Sequence, residues 1–396
     1  MSDVSHRGIV DVRSARVILS RFLLPLEIEQ AGIINAFGRT LADDVISDSP
    51  VPPHDSASKD GYAIIAADTI GATPSSPRSV SVLSSSHPQG KRLDAGTVMR
   101  VRRDQPLPDA ADAVVESAST YRPENGPQLL VLVEIAPGSN VVRAGSTSAS
   151  EHALLTQGVA IGPFEMEVIA ALGPHGVPVR RRPRISIITS GADIIDSFGD
   201  INPGEHRNSV RYALVGMVLA AGCELGRLIH VKDARLGIEK ALAQCSGSDA
   251  AIVSISAQER HDLSLEAIAS SGTRCFDRVQ MEPGNCGFGI AHDRPVFAVE
   301  NRHALEAFEA VIRPGLMMLL GRQNLDRPRV VATLDKTLKL NPGSTHYVRA
   351  ITYVHGGITV SRPTADDESP NSLILVPDNH EIVKRGETVE VMLLTQ

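Results

Sequence analysis

Chemistry needs charged, hydroxylated or conformationally permissive residues at spacings a fold can bring together, and the clearest set here is Asn208-Ser209 at the start of an apolar helical run. Gly204 and Arg207 precede it, with Gly191 further back. A helix beginning there offers backbone N–H groups and the positive end of its dipole, which favour an anion such as phosphate or molybdate. Alternatively, Asn208 only caps a structural helix; Arg207 and Arg211 add charge to the anion reading. His261-Asp262 precedes another helical run, where Asp262 either binds a cation or caps a helix starting at Leu263. Asp60-Gly61-Tyr62-Ala63 enters an apolar strand. Gly61 permits a turn and Asp60 offers a carboxylate to a metal-bound nucleotide or a pterin amine, or the four residues form a plain β-turn.

Other groups carry less. The stretch 281–289, with Gly284, Gly287 and Gly289, reads as a glycine-rich turn between strands; no suitable helix follows to complete a dinucleotide fingerprint. His54, Asp55 and Ser56 are sequence neighbours, which is not how a nucleophile triad is assembled. Arg180, Arg181, Arg182 and Arg184 surround Pro183 as an anion patch or as a solvated linker.

The elements that must position these groups belong to a folded, multidomain chain. With 396 residues, two to four domains are expected. Aromatic residues make up only 3% and Trp is absent, which argues against a base-stacking nucleic-acid platform, and net charge −7 argues against general DNA affinity. Cys223, Cys245, Cys275 and Cys286 show no Cys-x-x-Cys pair and read as reduced core thiols of a cytoplasmic protein. Asp3, His6, Arg7 and Asp11 interrupt any secretion-type apolar run, and the longest apolar stretch, 214–221, is far below the roughly 20 residues that span a bilayer. No membrane insertion is expected.

Apolar spacing predicts helices over 10–26, 36–42 and 164–172, the first ended or kinked by Pro25. Short β-branched runs at 79–83, 97–101 and 129–135 predict a β-rich insert between the helical pieces. From 185 onward, strand runs (185–189, 228–231, 250–255, 296–299) alternate with helical runs (210–221, 263–269, 304–320). That alternation predicts a doubly wound α/β domain whose ligands sit at the strands' carboxyl ends. After Arg327-Pro328, about 70 residues of strand pattern predict a small barrel or sandwich. The expected organisation is α/β multidomain: a helical part (1–50 and 146–180), a β-rich insert (51–145), the α/β domain (181–325) and a C-terminal β-barrel (326–396).

Taken in order, the motifs resemble the molybdopterin molybdenumtransferase family, the MoeA proteins and the gephyrin E domain. The resemblance is carried by Pro52-Pro53-His54-Asp55, Asp60-Gly61-Tyr62-Ala63, Pro106-Leu107-Pro108, Ala111-Asp112-Ala113-Val114-Val115 and Arg181-Arg182-Pro183-Arg184-Ile185. It continues through Thr189-Ser190-Gly191, Pro203-Gly204-Glu205 with Ser209 and Tyr212, Met281 with Pro283-Gly284, Phe288-Gly289 and Arg313-Pro314. It implies insertion of molybdate into adenylylated molybdopterin with AMP release, assisted by Mg²⁺, in an elongated homodimer whose cleft joins domains of both subunits. By family match, Asp60, Asp193 and Ser369 are site residues. Asp262 lies one register off the match as a second carboxylate for catalysis or metal. Arg207 is a compensating cation, and Gly191, Ser209, Pro283 and Gly284 line the cofactor side.

Several family motifs are altered. Arg103-Asp104-Gln105 replaces a Thr-Gly-Ala step, Gly145-Ser146-Thr147 replaces Gly-Glu-Asp, and Gly191-Ala192-Asp193 replaces Gly-Asp-Glu. The glycine loop cradling the pterin reads Ser254-Ile255-Ser256-Ala257-Gln258-Glu259-Arg260. The Lys-Pro-Gly-Lys-Pro step reads Glu282-Pro283-Gly284-Asn285-Cys286, and the Pro-Gly-Asn-Pro turn is missing, with Val299-Glu300-Asn301-Arg302-His303 nearby. The alternative expectation is therefore a catalytically degenerate relative acting as a dimeric, gephyrin-E-like scaffold for a protein or peptide partner.

Overall fold

The computed structural model describes residues 8–394 apart from 48–49, 51, 84–89, 124–127, 147–152, 174–175, 196–199, 233, 257–260 and 366–367. The chain forms two compact units, one of residues 44–156 and one of residues 1–43 with 157–396.

The smaller unit is built on a six-stranded sheet in the order Ala113–Glu116, Gly61–Ile64, Thr97–Val101, Arg78–Leu83, Gln128–Val131 and Thr120–Tyr121. All neighbours are antiparallel except Arg78–Leu83 with Thr97–Val101. Ile64, Val80, Val98, Val115, Leu129 and Val131 form one core on this sheet, and the alternate positions Ala63, Met99, Val101 and Val114 join a second with Leu93 and Leu107.

In the larger unit a second six-stranded sheet runs Glu224–Val231, Arg184–Ser190, Ala250–Ile255, Arg294–Glu300, Cys286–Ala291 and Gly272–Phe276. Its first four strands are parallel and the last two antiparallel. Every residue of Ala250–Ile255 is buried, because helices cover both faces. Ile185, Ile187, Ala250 and Ile252 pack one way against Leu214 and Val218; Ile188, Ala251, Val253 and Ile255 pack the other way against Ile238, Leu242 and Leu265. The last five strands of the chain's barrel, Arg329–Leu334, Thr345–His355, Ile358–Pro363, Ser372–Val376 and Thr388–Leu393, close into a ring through pairing of Thr345–His355 with Ser372–Val376. The short strand Met281–Glu282 adds to that ring, tying it to the α/β sheet.

Several elements differ from the sequence expectation. The first helix is Val12–Leu19 and not 10–26: Asp11 caps it by accepting the Ser14 N–H at 2.8 Å, and the chain turns at Ser20 so that Leu23 also reaches the core. The second helix is Ile33–Ala36. Gly38, at φ 74°, breaks it, and Thr40 and Leu41 form bridges with Ala160 and Val179 instead. The third spans Pro163–Leu172, with proline at its first position and Gly173 in the left-handed conformation after its end.

The long helix expected over 304–320 divides into Ala304–Ala307, a π-helical turn Phe308–Ile312 and Arg313–Leu319. Pro314 has no N–H to give to a preceding carbonyl, and Arg16 Nη2 donates to Ala310 O at 3.4 Å. Two buried carboxylates on this element hold arginines from the barrel segment. Glu306 takes Arg349 at 2.7 and 3.1 Å, and Glu309 takes Arg327 at 3.1 Å through both oxygens.

The arginine run is neither an anion patch nor a solvated linker. Arg181 forms a bidentate pair with Asp249 at 2.7 and 2.9 Å and a third bond to Glu27 at 3.0 Å, while Arg180 donates to Leu26 O at 2.9 Å. These contacts bind the N-terminal segment to the sheet.

Candidate active site

The chain leaves Arg184–Ser190 for the strand on one side, Glu224–Val231, and later enters Ala250–Ile255 on the other. The crevice outside the carboxyl ends of Arg184–Ser190 and Ala250–Ile255 is therefore a topological switch point, where open α/β sheets bind ligands. A pocket of about 320 Å³ opens there, lined by Asp193, His206, Arg207, Asn208 and Ser209 from one side and by Ser256, Asn301 and Arg302 from the other.

Local structure explains each wall. Gly191 has φ 157°, and a side chain there would meet Ile194 and Ser256, so glycine lets the turn after the strand run against its neighbour. The two strand ends are joined by Ser256 N–H donating to Ser190 O at 3.0 Å. Ile194–Ile195 pairs with His206–Arg207, and His206 N–H donates to Asp193 O at 2.8 Å, which brings Asp193 and Arg207 to one rim. Asn301 is held by Ser254 Oγ at 2.6 Å.

Asn208 decides between the two sequence readings. It occupies the N-cap position of Ser209–Ala220, but its side chain makes no cap bond. Its Nδ2 donates to Thr189 Oγ1 at 2.9 Å, and Thr189 Oγ1 in turn lies 3.1 Å from His230 Nδ1. Asn208 is 1% exposed and its Oδ1 has no hydrogen-bond partner among the described residues. The helix N-terminus thus faces the pocket without closure by the Asn208 side chain, and a buried acceptor is left without a partner.

Of the remaining expected residues, Gly284 belongs to a neighbouring concavity of about 530 Å³, with Arg278, Asn285 and Glu300, whereas Pro283 lines neither this concavity nor the switch-point pocket. Glu300 faces this second concavity while the next residues, Asn301 and Arg302, face the first. Gly284 has φ 106°, and a side chain there would meet His303. Glu282 accepts from Asn341 Nδ2 at 3.2 Å and is not among the lining residues, so of this loop Gly284 and Asn285 face the concavity. Within 281–289 the turn expected between strands is confined to 283–285, between Met281–Glu282 and Cys286–Ala291. Residues 286–291 form a central strand, where Gly287 and Gly289 let Leu265 and Ile268 of the adjacent helix pack onto the backbone.

Asp262 does not occupy the cap position: His261 does, and Asp262 is the first residue of Asp262–Ser270. His261 is buried, and burial pushes its imidazole below the ordinary pKa, toward the neutral form at pH 7. Residues 257–260, in the expected cradle, and Thr147, in an altered step, lie outside the described residues. Ser369 is exposed in the barrel connection before Ser372–Val376 and lines none of these pockets. Asp60 belongs to the smaller unit, where its Oδ1 accepts the Arg103 N–H at 2.8 Å.

The site thus gathers Asp193, Arg207 and Ser209 around Gly191. Asn301, Arg302 and His206 were not singled out from sequence. The position of Asn301-Arg302 just past an apolar strand is the signal that could have found them.

Among the described residues no three His, Cys, Asp or Glu side chains converge as a metal site. Mg²⁺ is commonly held by one or two carboxylates plus substrate phosphates, so lone carboxylates such as Asp60 or Asp262 fit an ion that arrives with its ligand and not a resident cage. The described helices include none long and apolar enough to cross a membrane.

Asp55 has a structural role. Burial raises its pKa, but the Ala144 N–H at 2.7 Å and Arg143 at 2.6 Å outweigh burial and hold it below the ordinary aspartate value. A depressed folded pKa contributes stability that is complete above the unfolded pKa near ~4 and is lost as pH falls through the folded value. Hydrogen exchange at Ala144 is expected to accelerate in wild type as pH falls below about 4, beyond the intrinsic pH effect. Asp55→Asn should already show the faster state at pH 5; an equal pH response in both proteins contradicts this.

Residues 10–173 match the family model described as the MoeA N-terminal region, domains I and II. The chain is 27% identical over 383 residues to a putative molybdopterin biosynthesis protein of Methanocaldococcus jannaschii, covering 93% of this chain and 92% of that protein. It is 28% identical over 388 residues to molybdopterin molybdenumtransferase 2 of Mycobacterium tuberculosis, covering 92% and 94%. The fold matches a solved structure of a molybdopterin biosynthesis MoeA protein from Pyrococcus horikoshii, with TM-score 0.84, 23% identity and coverage of 98% of this chain and 100% of that one.

Proposed function

This chain belongs to the MoeA family, and on that premise we propose that it serves molybdenum cofactor biosynthesis as a molybdopterin molybdenumtransferase, inserting molybdate into adenylylated molybdopterin with release of AMP. The names of its relatives support the substrate class. The observation that carries the reading is the switch-point pocket, where Arg207, Arg302 and the start of Ser209–Ala220 supply positive potential.

In this proposal Arg207 and Arg302 hold the oxyanionic reactants, while Ser209 and the first N–H groups of the helix orient them by hydrogen bonds. Asn208 Oδ1, buried and without a partner, accepts an N–H of the bound pterin. Asp193 sits on the rim near Arg207 and keeps that side chain's charge local to the pocket. Asp60 and Asp262 are the carboxylates assigned to Mg²⁺, which when bound neutralises phosphate charge. The homodimer is part of the same proposal.

Titrating purified protein with molybdopterin-AMP and molybdate is expected to release AMP. Arg207→Gln should lower the rate by about 100-fold, the order of magnitude for removing one preorganised charge-stabilising group. Binding of molybdopterin-AMP without any AMP release would defeat the transferase reading and favour the degenerate relative.

A further inference from the structure

The smaller unit carries a pocket of its own in which Asp60 is the one lining residue that the proposed reaction uses. It measures about 310 Å³ and is lined by Asp60, Gly61, Arg100, Arg102, Glu116 and Ser117. Arg100 is on the strand Thr97–Val101 and Arg102 follows two residues later, so the period-2 geometry of extended chain points both side chains to one side. Their backbone is firmly fixed. Arg102 N–H donates to Gln105 Oε1 at 3.0 Å, Gln105 N–H returns to Arg102 O at 3.1 Å, and Arg103 N–H is held by Asp60. Asp104 closes this turn in the left-handed region at φ 65°.

The electrostatic balance points one way. Glu116 is already neutralised by Lys59 at 2.6 Å, and Asp60 spends one oxygen on the Arg103 N–H. Neither Arg100 nor Arg102 has a carboxylate partner among the described residues, although Arg103 lies 3.9 Å from Asp104. Two guanidiniums with fixed stems, unpaired and sharing one concavity, match a doubly charged tetrahedral anion. A carboxylate would leave one of them without a partner.

We propose that Arg100 and Arg102 form a phosphate-binding subsite in residues 44–156, taking the terminal phosphate of a small anionic ligand. Ser117 adds a hydroxyl donor at its edge, and Gly61 keeps its floor low. The charge that this chain does not place in the Glu282-Pro283-Gly284-Asn285 loop is present here instead. Arg100 and Arg102 have no role in the proposed reaction, and they belong to a different unit from the switch-point pocket.

Inorganic pyrophosphate is the probe, measured by calorimetry on the full chain. To separate the two pockets, the reference protein carries Arg207→Gln. It is expected to bind pyrophosphate still, and adding Arg100→Gln with Arg102→Gln should weaken that binding by at least about tenfold. Arg100→Lys with Arg102→Lys should recover part of it, showing that charge is what acts. Both arginines are exposed, so the melting temperature should be unchanged. A 5′-mononucleotide that binds tighter than pyrophosphate and loses affinity in the same variant supports the subsite and identifies a nucleotide as the phosphate's source. Loss of all binding with Arg207→Gln alone, or unchanged affinity after the arginine pair is removed, overturns the proposal.

Discussion

Glu309→Ala is expected to lower the unfolding free energy by about 3–5 kcal/mol, the range for breaking a buried ion pair from one side. The Glu309 side chain is 3% exposed and accepts Arg327 through both oxygens, with Arg313 Nε at 3.8 Å. Removing it leaves two largely buried guanidiniums without their counter-charge, and burial already draws the Arg313 pKa down. The position also anchors the π-helical turn Phe308–Ile312, whose every residue is buried. Denaturant melts of wild type, Glu309→Ala and the exposed-pair control Lys59→Ala test this. The control should change stability by less than about 1 kcal/mol. Equal small effects in both would mean the buried carboxylate is not what holds the barrel segment to the long helix.

Gly61→Ala should be as damaging within residues 44–156. Gly61 is paired on both sides, facing Val101 on one strand and Glu116 on the other. A methyl group at this position would fall on the Val115 carbonyl, which is backbone and cannot rotate away. The sheet must either spread or lose pairing in its centre, at a cost of about 1–3 kcal/mol or more for overpacking. The expected readout is accelerated hydrogen exchange confined to Gly61–Ile64, Thr97–Val101 and Ala113–Glu116, with the α/β sheet protected as before. Exchange unchanged in those strands would show that the close approach is relieved more cheaply than the geometry indicates. The same glycine explains why Asp60 stands where it does: the tight approach of three strands fixes the residue just before it.

Much of the fold was legible because local pattern and burial coincide. Ala250–Ile255 is apolar throughout and is buried on both faces, and the alternation of strand and helix runs led to the parallel sheet. Helix ends were less legible. The first two helices are shorter than their apolar spacing suggests, because Leu23 and Leu41 are buried by turns and bridges that use the same residues without helical geometry. In 281–289 the turn is shorter than its glycines suggest: Gly284 turns the chain, whereas Gly287 and Gly289 lie in a strand and admit a packed helix.

At the candidate site, sequence located Gly191, Arg207 and Ser209 and left the role of Asn208 open. Its role depends on Thr189, nineteen positions away along the chain, whose hydroxyl competes for the Asn208 side chain. The helix after His261 begins one residue earlier than its apolar run suggests, with Asp262 inside it and Leu265 and Ile268 buried.

The chain by itself determined the kinds of elements, the family resemblance and the residues able to bear charge, since these depend on residue type and short-range spacing. Tertiary structure alone decided which charges are spent and which remain. Arg181, Arg327 and Arg349 are consumed by carboxylates, while Arg100 and Arg102 are left to a pocket. Pairing of this kind is a matter of distance across space, between residues 154 positions apart in the case of Arg181 and Glu27, and no local pattern encodes it.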